Sequence, residues 1–212
     1  TERKRNEQER ELMLNELNHR VKNMLAVVQS IANQTLRVTE DPRTFAAIFG
    51  QRIRALSAAH NLLTQESWTG ADLGQLIMSS IASFVTEGSE RILAEGPEIR
   101  LSPNATVSFV MALHELATNA MKYGALSNGE GRIEISWTVE KPPEGPDRLE
   151  VTWNELDGPE VTPPEREGFG RRMLEKGIAR ELGGEVKLDY VKSGLVCHMS
   201  FPLDRVTSRD GD

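Results

Sequence analysis

A single cysteine, Cys197, in 212 residues leaves no partner for an internal disulfide and no thiolate set for a zinc cluster. It falls in the alternating run 195–201, the pattern of a buried strand thiol. No apolar run approaches the roughly 20 residues that a membrane-spanning helix needs, and no cleavable leader opens the chain. A cytoplasmic chain is the expectation. Positive charge is also in short supply: 25 Lys and Arg against 32 Asp and Glu give a net charge of −7. That argues against nucleic acid as a partner, because its phosphates select a basic surface. An initiating methionine is missing too. The chain begins at Thr1, directly in a charged helical pattern, and reads as a piece of a longer protein with an upstream module absent. What remains, 38% hydrophobic and 27% charged residues, is ordinary for a soluble globular protein of one medium domain or two small ones.

From Leu14 a seven-residue rhythm runs through Leu17, Val21, Met24, Val28 and Ile31, the three-then-four seam of helical bundles. Asp41-Pro42 breaks it, and Thr44 or Asp41 can cap a second helix carrying Phe45, Ile48, Phe49, Ile53, Leu56, Ala59, Leu62 and Leu63. The short break implies an antiparallel hairpin, which cannot enclose a large core alone. It is expected to be half of a four-helix bundle, or to pack on the rest of the chain. Trp68 to Asp72 marks the boundary, so 1–67 reads as the hairpin and 68–206 as a second domain. A helix is expected from Asp72 to Val85, then short strands at 92–94 and 99–101. Pro103 opens a long helix in the position where Pro is best tolerated, and Gly124 sits near its end as a cap. Strands follow at 133–139 and 149–153 around a hairpin loop at 141–147. A Gly- and Pro-rich stretch runs from Leu156 to Gly170, then come a helix at 169–182 and strands at 185–190 and 195–201. The chain beyond Pro202 reads as disordered, with 207–212 as the tail. The fold class is α+β, a mixed and mainly antiparallel sheet with helices on one face.

The stretch Val110–Leu126, VMALHELATNAMKYGAL, organises the second domain. Glu115, Asn119, Lys122 and Tyr123 recur at helical spacing and share one face, while Leu113, Leu116, Ala117, Ala120 and Met121 mostly fill the other. A carboxylate, an amide, an ammonium and a phenol on one face suit either solvent or a magnesium nucleotide. The second would need an oxygen ligand, a cation for phosphate and a base. The residues of this stretch alone leave both readings open.

His19, in LNHRVKNML, falls off the seam on the outer face of the first helix, flanked by Arg20 and Lys22 with Asn23 one turn on. A lone exposed His is usually a surface residue. Here the cationic neighbours keep the imidazole neutral and nucleophilic and would stabilise an attached phosphate. HRVKN on a bundle helix, HELATNAMKYGAL on another, Trp153-Asn154-Glu155 on a strand, AHNLL at 59–63 and GFGRRML at 168–174 together resemble the sensor histidine kinases of the HWE subfamily. That subfamily is named for a His in the Asn box and a Trp-x-Glu pair near the first glycine box. His114, Trp153 and Glu155 supply the three letters.

The resemblance implies a dimerisation and phosphotransfer hairpin followed by a Bergerat-type ATP-binding α/β sandwich. It further implies ATP-dependent autophosphorylation, with transfer to an aspartate on the receiver domain of a response regulator. His19 matches the phosphorylated His and Glu115 a candidate general base. Asn119 matches the Mg2+ ligand between the nucleotide phosphates, and Lys122 and Tyr123 match phosphate and nucleotide contacts. Glu155 looks like the acid that reads the adenine amino group. Gly168, Gly170 and Arg171 look like the second glycine box, where bare amides meet phosphate, and 156–167 like the lid over ATP.

There are departures. Asp157-Gly158-Pro159 stands where Gly-Gly-Pro is common, so Asp157 rather than Glu155 is the alternative adenine reader. Arg20 stands where an acid usually orients the phosphorylated His, which leaves Glu115 or Asn23 for that role. His114 either touches phosphate or braces its helix, the brace being favoured, and Trp153 reads as sheet core. A homodimer through the hairpin is the default, with a monomer folded on its own nucleotide domain as the alternative. A non-catalytic adaptor with a degenerate site and an ATPase of the same fold are the competing functions.

Overall fold

The computed structural model describes residues 14, 15, 18, 21, 22, 24–29, 31–33, 35, 36, 39, 41–65, 70–85, 89–161 and 169–207. Leu17, His19, Arg20, Asn23, Gly168, the second half of the expected lid (162–167) and the tail 208–212 lie outside the described residues. The chain forms two compact units, Thr1–Ile53 and Arg54–Asp212. The division falls within the second helix of the hairpin, ahead of the 67/68 boundary that the sequence suggests. Among the described residues no helix is long and apolar enough to cross a membrane.

In the first unit the described residues from 14 to 36 are helical. Along the seam, Leu14 and Val21 are exposed, Met24 and Val28 are half-buried and Ile31 is buried. Arg52, on the helix Pro42–Gln65, is buried and donates to the Thr35 hydroxyl at 2.6 Å; that hydroxyl in turn donates to the Ile31 carbonyl at 2.7 Å. A buried guanidinium needs such acceptors, since its charge cannot be shed. Asp41, not Thr44, caps the second helix: its carboxylate accepts the Thr44 N–H at 2.7 Å and the Thr44 hydroxyl at 2.6 Å. Those two bonds, the hydroxyl foremost, lower the Asp41 pKa.

The second unit is built on a five-stranded sheet. Strands are numbered β1 Ala71–Asp72, β2 Ile92–Glu95, β3 Arg100–Leu101, β4 Arg132–Glu140, β5 Arg148–Leu156, β6 Glu185–Val191 and β7 Gly194–Pro202. The order β2-β4-β5-β7-β6 has one parallel pair, β2 with β4, and is otherwise antiparallel. This is the mixed, mainly antiparallel sheet expected. β1 and β3 form a separate two-stranded antiparallel pair. Alternation in β4, β5 and β7 sends Ile133, Ile135, Trp137, Leu149, Val151, Trp153, Cys197, Met199 and Phe201 into the core. Burial drives the Cys197 thiol up to about 12, so it stays protonated as a core group.

Helices add to the core. Leu73–Ile81 is capped by the Asp72 carboxylate, which accepts the Gln75 N–H at 2.9 Å, and buries Leu73, Leu76, Ile77 and Ile81. It ends earlier than the expected 72–85, passing into a 3-10 turn at Ala82–Phe84. Pro103–Tyr123 begins with Ser102 as N-cap and Pro103 in the first turn, and its Phe109 ring meets Phe201 edge-on at 5.6 Å.

Two expectations are corrected. The segment 169–182 is not one regular helix: Phe169–Arg172 and Ala179–Leu182 flank a π turn at Met173–Ile178. Met173 and Ile178, and Leu174 and Ala179, are buried pairs five residues apart. A wider turn puts both members of each pair on one face, where a regular α-helix would not. Nor is the chain beyond Pro202 without structure. Leu203–Val206 is helical, Val206 is fully buried, its carbonyl accepts the Ser102 N–H at 2.8 Å, and Thr207 bridges Leu101.

Candidate nucleotide-binding site

The helix Pro103–Tyr123 splits its residues much as its spacing predicts. Leu113, Leu116, Ala117 and Ala120 are fully buried; His114, Glu115 and Asn119 are half-buried; Lys122 and Tyr123 stand exposed on the last turn. Met121 departs from the apolar set and is 44% exposed. The Phe169–Arg172 turn approaches this polar face without a side chain in the way. A Cβ on Gly170 would lie 3.0 Å from the Glu115 Oε2 and 3.3 Å from the Asn119 Nδ2. The structure thus brings Glu115, Asn119 and Gly170 together. Arg171 is turned onto Glu175, its Nε donating at 2.9 Å.

The end of the same helix makes the second half of the site. Gly124 closes it, donating to the Ala120 carbonyl at 3.0 Å and the Asn119 carbonyl at 3.2 Å. Its backbone is extended (φ −114°, ψ −151°), so the left-handed cap that usually demands glycine is not the reason for it here. The reason is space: a Cβ at Gly124 would collide with the Glu155 carboxylate. Glu155 lies on β5 and is 1% exposed. Its Oε2 accepts the Ala125 N–H at 2.9 Å and its Oε1 accepts the Trp153 indole N–H at 3.2 Å. Burial raises the Glu155 pKa, and these two bonds oppose the rise. The Trp-x-Glu spacing places both side chains on the same face of a strand, so Trp153 is core, as expected, and is also a donor to Glu155. Behind Glu155, a Cβ on Gly194 would come within 2.9 Å of the Glu155 carbonyl carbon.

Asp157 is held differently. It adopts a left-handed backbone (φ 57°), is exposed, and pairs its carboxylate with Arg132, while its carbonyl accepts from the Asn128 side chain at 3.2 Å. Gly158 then crosses the Ala125 backbone so closely that a Cβ would lie 2.7 Å from the Ala125 Cα.

His114 packs edge-on against Phe84 with ring centroids 5.3 Å apart. Burial, and secondarily the charge of Arg54, lower its pKa and favour neutral imidazole. Sequence reasoning missed Arg91, Ala125 and Arg132. Arg91 donates to the Gly131 carbonyl at 2.6 Å, the Ala125 carbonyl at 3.0 Å and the Asn128 carbonyl at 2.7 Å. These partners lie 34 to 40 residues away, so no local pattern could announce them. A faint signal was present in the glycines Gly131 and Gly194, each of which abuts another segment's backbone.

An adenine nucleotide with magnesium fits these features. Bare backbone at Gly170 faces Asn119, and a buried acid at Glu155 lies beyond the end of the same helix. Among the described residues no cluster of three or more His, Cys, Asp or Glu is placed to hold a metal ion. A magnesium ion here would depend on Asn119 together with phosphate oxygens and water.

Residues 16–98 match the family model described as HWE histidine kinase. The chain is 43% identical over 203 residues to blue-light-activated histidine kinases of Brucella ovis and Brucella abortus, covering 96% of this chain and 41% of each relative. It therefore spans about two fifths of the length of those relatives. In fold it is similar to the blue-light activated histidine kinase EL346 of Erythrobacter litoralis. Against that structure the TM-score is 0.61 at 20% identity, over 91% of this chain and 59% of that one. Against the isolated histidine kinase domain of the same protein the TM-score is 0.54 at 15% identity, over 87% of this chain and 95% of that one. With its Trp-x-Glu pair, its Asn-box histidine and these likenesses in view, the chain belongs to the HWE histidine kinase family.

Proposed function

We propose that this chain is the catalytic region of a sensor histidine kinase that autophosphorylates on His19 and passes the phosphoryl group to an aspartate on a response regulator receiver domain. The observation that carries the reading is the seating of the Gly170 backbone against Glu115 and Asn119. It brings bare backbone, the Glu115 carboxylate and the Asn119 side-chain amide to one place, with little covalent work left for the protein. Bound MgATP supplies the transferable phosphoryl group. Asn119 would hold the ion, and Lys122, Tyr123, Arg171 and the amides at Gly168 and Gly170 would hold the nucleotide. Glu115 would orient the His19 imidazole and take its proton as the N–P bond forms and the bond from the γ-phosphorus to the β,γ-bridging oxygen breaks, ADP carrying away the leaving oxygen.

Glu155 is the acid that reads the adenine amino group. Accepting from Ala125 and Trp153 uses one lone pair on each carboxylate oxygen and leaves acceptor capacity on both. Asp157, engaged at the surface by Arg132, shapes the turn that lays Gly158 on Ala125.

The 1–67 hairpin is the dimerisation and phosphotransfer element. Leu14 and Val21 are exposed on its seam and suit a homodimer partner. The sensory module belongs to the part of the protein beyond this span, and the whole acts in the cytoplasm.

The test is labelling from γ-labelled ATP. Wild type should acquire an acid-labile, base-stable adduct; His19→Gln should acquire none; Asn119→Ala should lose nucleotide binding and label together. Undiminished label in His19→Gln overturns the phosphoacceptor. ATP hydrolysis with no phosphoprotein in wild type would move the chain to the ATPases of the same fold.

A further inference from the structure

We infer that Arg91 is a positioning residue for base recognition: by gripping the loop after the Asn-box helix it sets the place of Ala125 and, through the Ala125 N–H, the carboxylate of Glu155. The inference rests on the reading of Glu155 as the adenine acid.

Arg91 immediately precedes β2, and its own backbone is fixed there: its carbonyl accepts the Ile133 N–H at 2.8 Å, and its N–H donates to the Ser89 hydroxyl at 3.3 Å. Ile133 is the cross-strand partner of Glu155 in the β4–β5 ladder. The Arg91 backbone is thus hydrogen-bonded to the residue paired with the acid. Its side chain turns to three carbonyls of the 125–131 loop, those of Ala125, Asn128 and Gly131. A planar guanidinium presents donors in a fixed fork, which a lysine ammonium cannot imitate across three acceptors.

Ala125 is therefore held at both polar atoms, its carbonyl by Arg91 at 3.0 Å and its N–H by Glu155 at 2.9 Å. It is hemmed in besides, with bare glycine at Gly131 against its carbonyl and at Gly158 against its Cα. The loop has little room to adjust while Arg91 is in place. Without Arg91, three carbonyls lose a charged donor. The Ala125 N–H, which orients one carboxylate oxygen, is then free to shift. A displaced acceptor costs most where the site is built to satisfy a particular donor, as a 6-amino group would be.

The experiment measures Mg-ADP and Mg-IDP affinities by calorimetry on the full chain. IDP carries an oxygen in place of the 6-amino group. Wild type should prefer ADP. Arg91→Ala should weaken ADP about tenfold and leave IDP nearly unchanged, so that the ratio collapses; millimolar methylguanidinium should restore part of the ADP affinity. Arg91→Lys, the variant to use if Arg91→Ala does not fold, should lower the ratio less.

Equal weakening of both nucleotides, or an unchanged ratio in both variants, overturns the role of Arg91 and leaves it a structural clamp. Failure of the underlying reading looks different: wild type itself would bind ADP and IDP alike, or Glu155→Ala would keep the wild-type ratio.

Discussion

The Glu155 carboxylate and the Ala125 backbone N–H stand thirty residues apart in sequence and 2.9 Å apart in space. That bond ties the end of the Asn-box helix to the strand carrying the Trp-x-Glu pair, so the two motifs that identify the family meet at one atom pair. Replacing Glu155 with Gln turns one acceptor into a donor that must face either Ala125 N–H or the Trp153 indole. Expected is a loss of about 1–3 kcal/mol in urea unfolding, the usual cost of a buried donor left unsatisfied. Wild-type stability in Glu155→Gln would show that the bond matters little.

The same pair predicts a pH dependence. Burial raises the folded pKa of Glu155, so the folded state takes up a proton before the unfolded chain does. The stability this adds is full below the ordinary carboxyl value of about 4.3 and is lost as pH rises through the folded value. The stability difference between wild type and Glu155→Gln should therefore fall from pH 4 upward. A difference that rises over that span contradicts the assignment.

His114 has the opposite sense. Burial, then the Arg54 charge, hold its imidazole below the ordinary value. The folded state resists the proton that the unfolded chain accepts. Its contribution is present above about pH 6.5 and is lost as pH falls through the depressed value. His114→Gln should lose less stability than wild type between pH 7 and 5, and the His114 ring protons should titrate below pH 6.5 by NMR. An ordinary midpoint would place the imidazole in solvent.

Two glycine substitutions separate backbone crowding from mere flexibility. Gly158→Ala forces a methyl to 2.7 Å from the Ala125 Cα, where only backbone can yield. A cost of about 1–3 kcal/mol is expected, with weaker nucleotide binding. At Gly177 a Cβ meets only the Met173 side chain at 3.8 Å, so Gly177→Ala should stabilise by about 0.4–1 kcal/mol through the unfolded chain. Thermal melts of both variants decide it.

Legibility in the sequence followed range. Strand alternation and the polar and apolar faces of the 103–123 helix were visible because they repeat within a few residues. The pairing of Glu155 with Trp153 is nearly visible, two residues apart on a strand, but alternation predicts only packing for the indole and not its donation to the carboxylate. Arg91 was opaque, since its acceptors are carbonyls, which every residue carries. The π turn at Met173–Ile178 was hidden because five-residue spacing of apolar residues looks like an imperfect α-helical face. The helix after Pro202 is hard to see in the sequence because 203–207 is short and carries charge, whereas its order comes from Val206 and Thr207 meeting Ser102 and Leu101.

That last contact bears on how the protein is made. Ser102, the N-cap of the helix that carries Asn119, has its own N–H held by the Val206 carbonyl. More than a hundred residues of chain separate the two. During synthesis the start of this helix waits, uncovered, until almost all of the second unit has emerged from the ribosome, and loop closure over that span is slow. A chain stopped at Pro202 would carry Glu115, Asn119, Glu155 and Gly170 while leaving the helix that bears Asn119 without the Val206 carbonyl at its start.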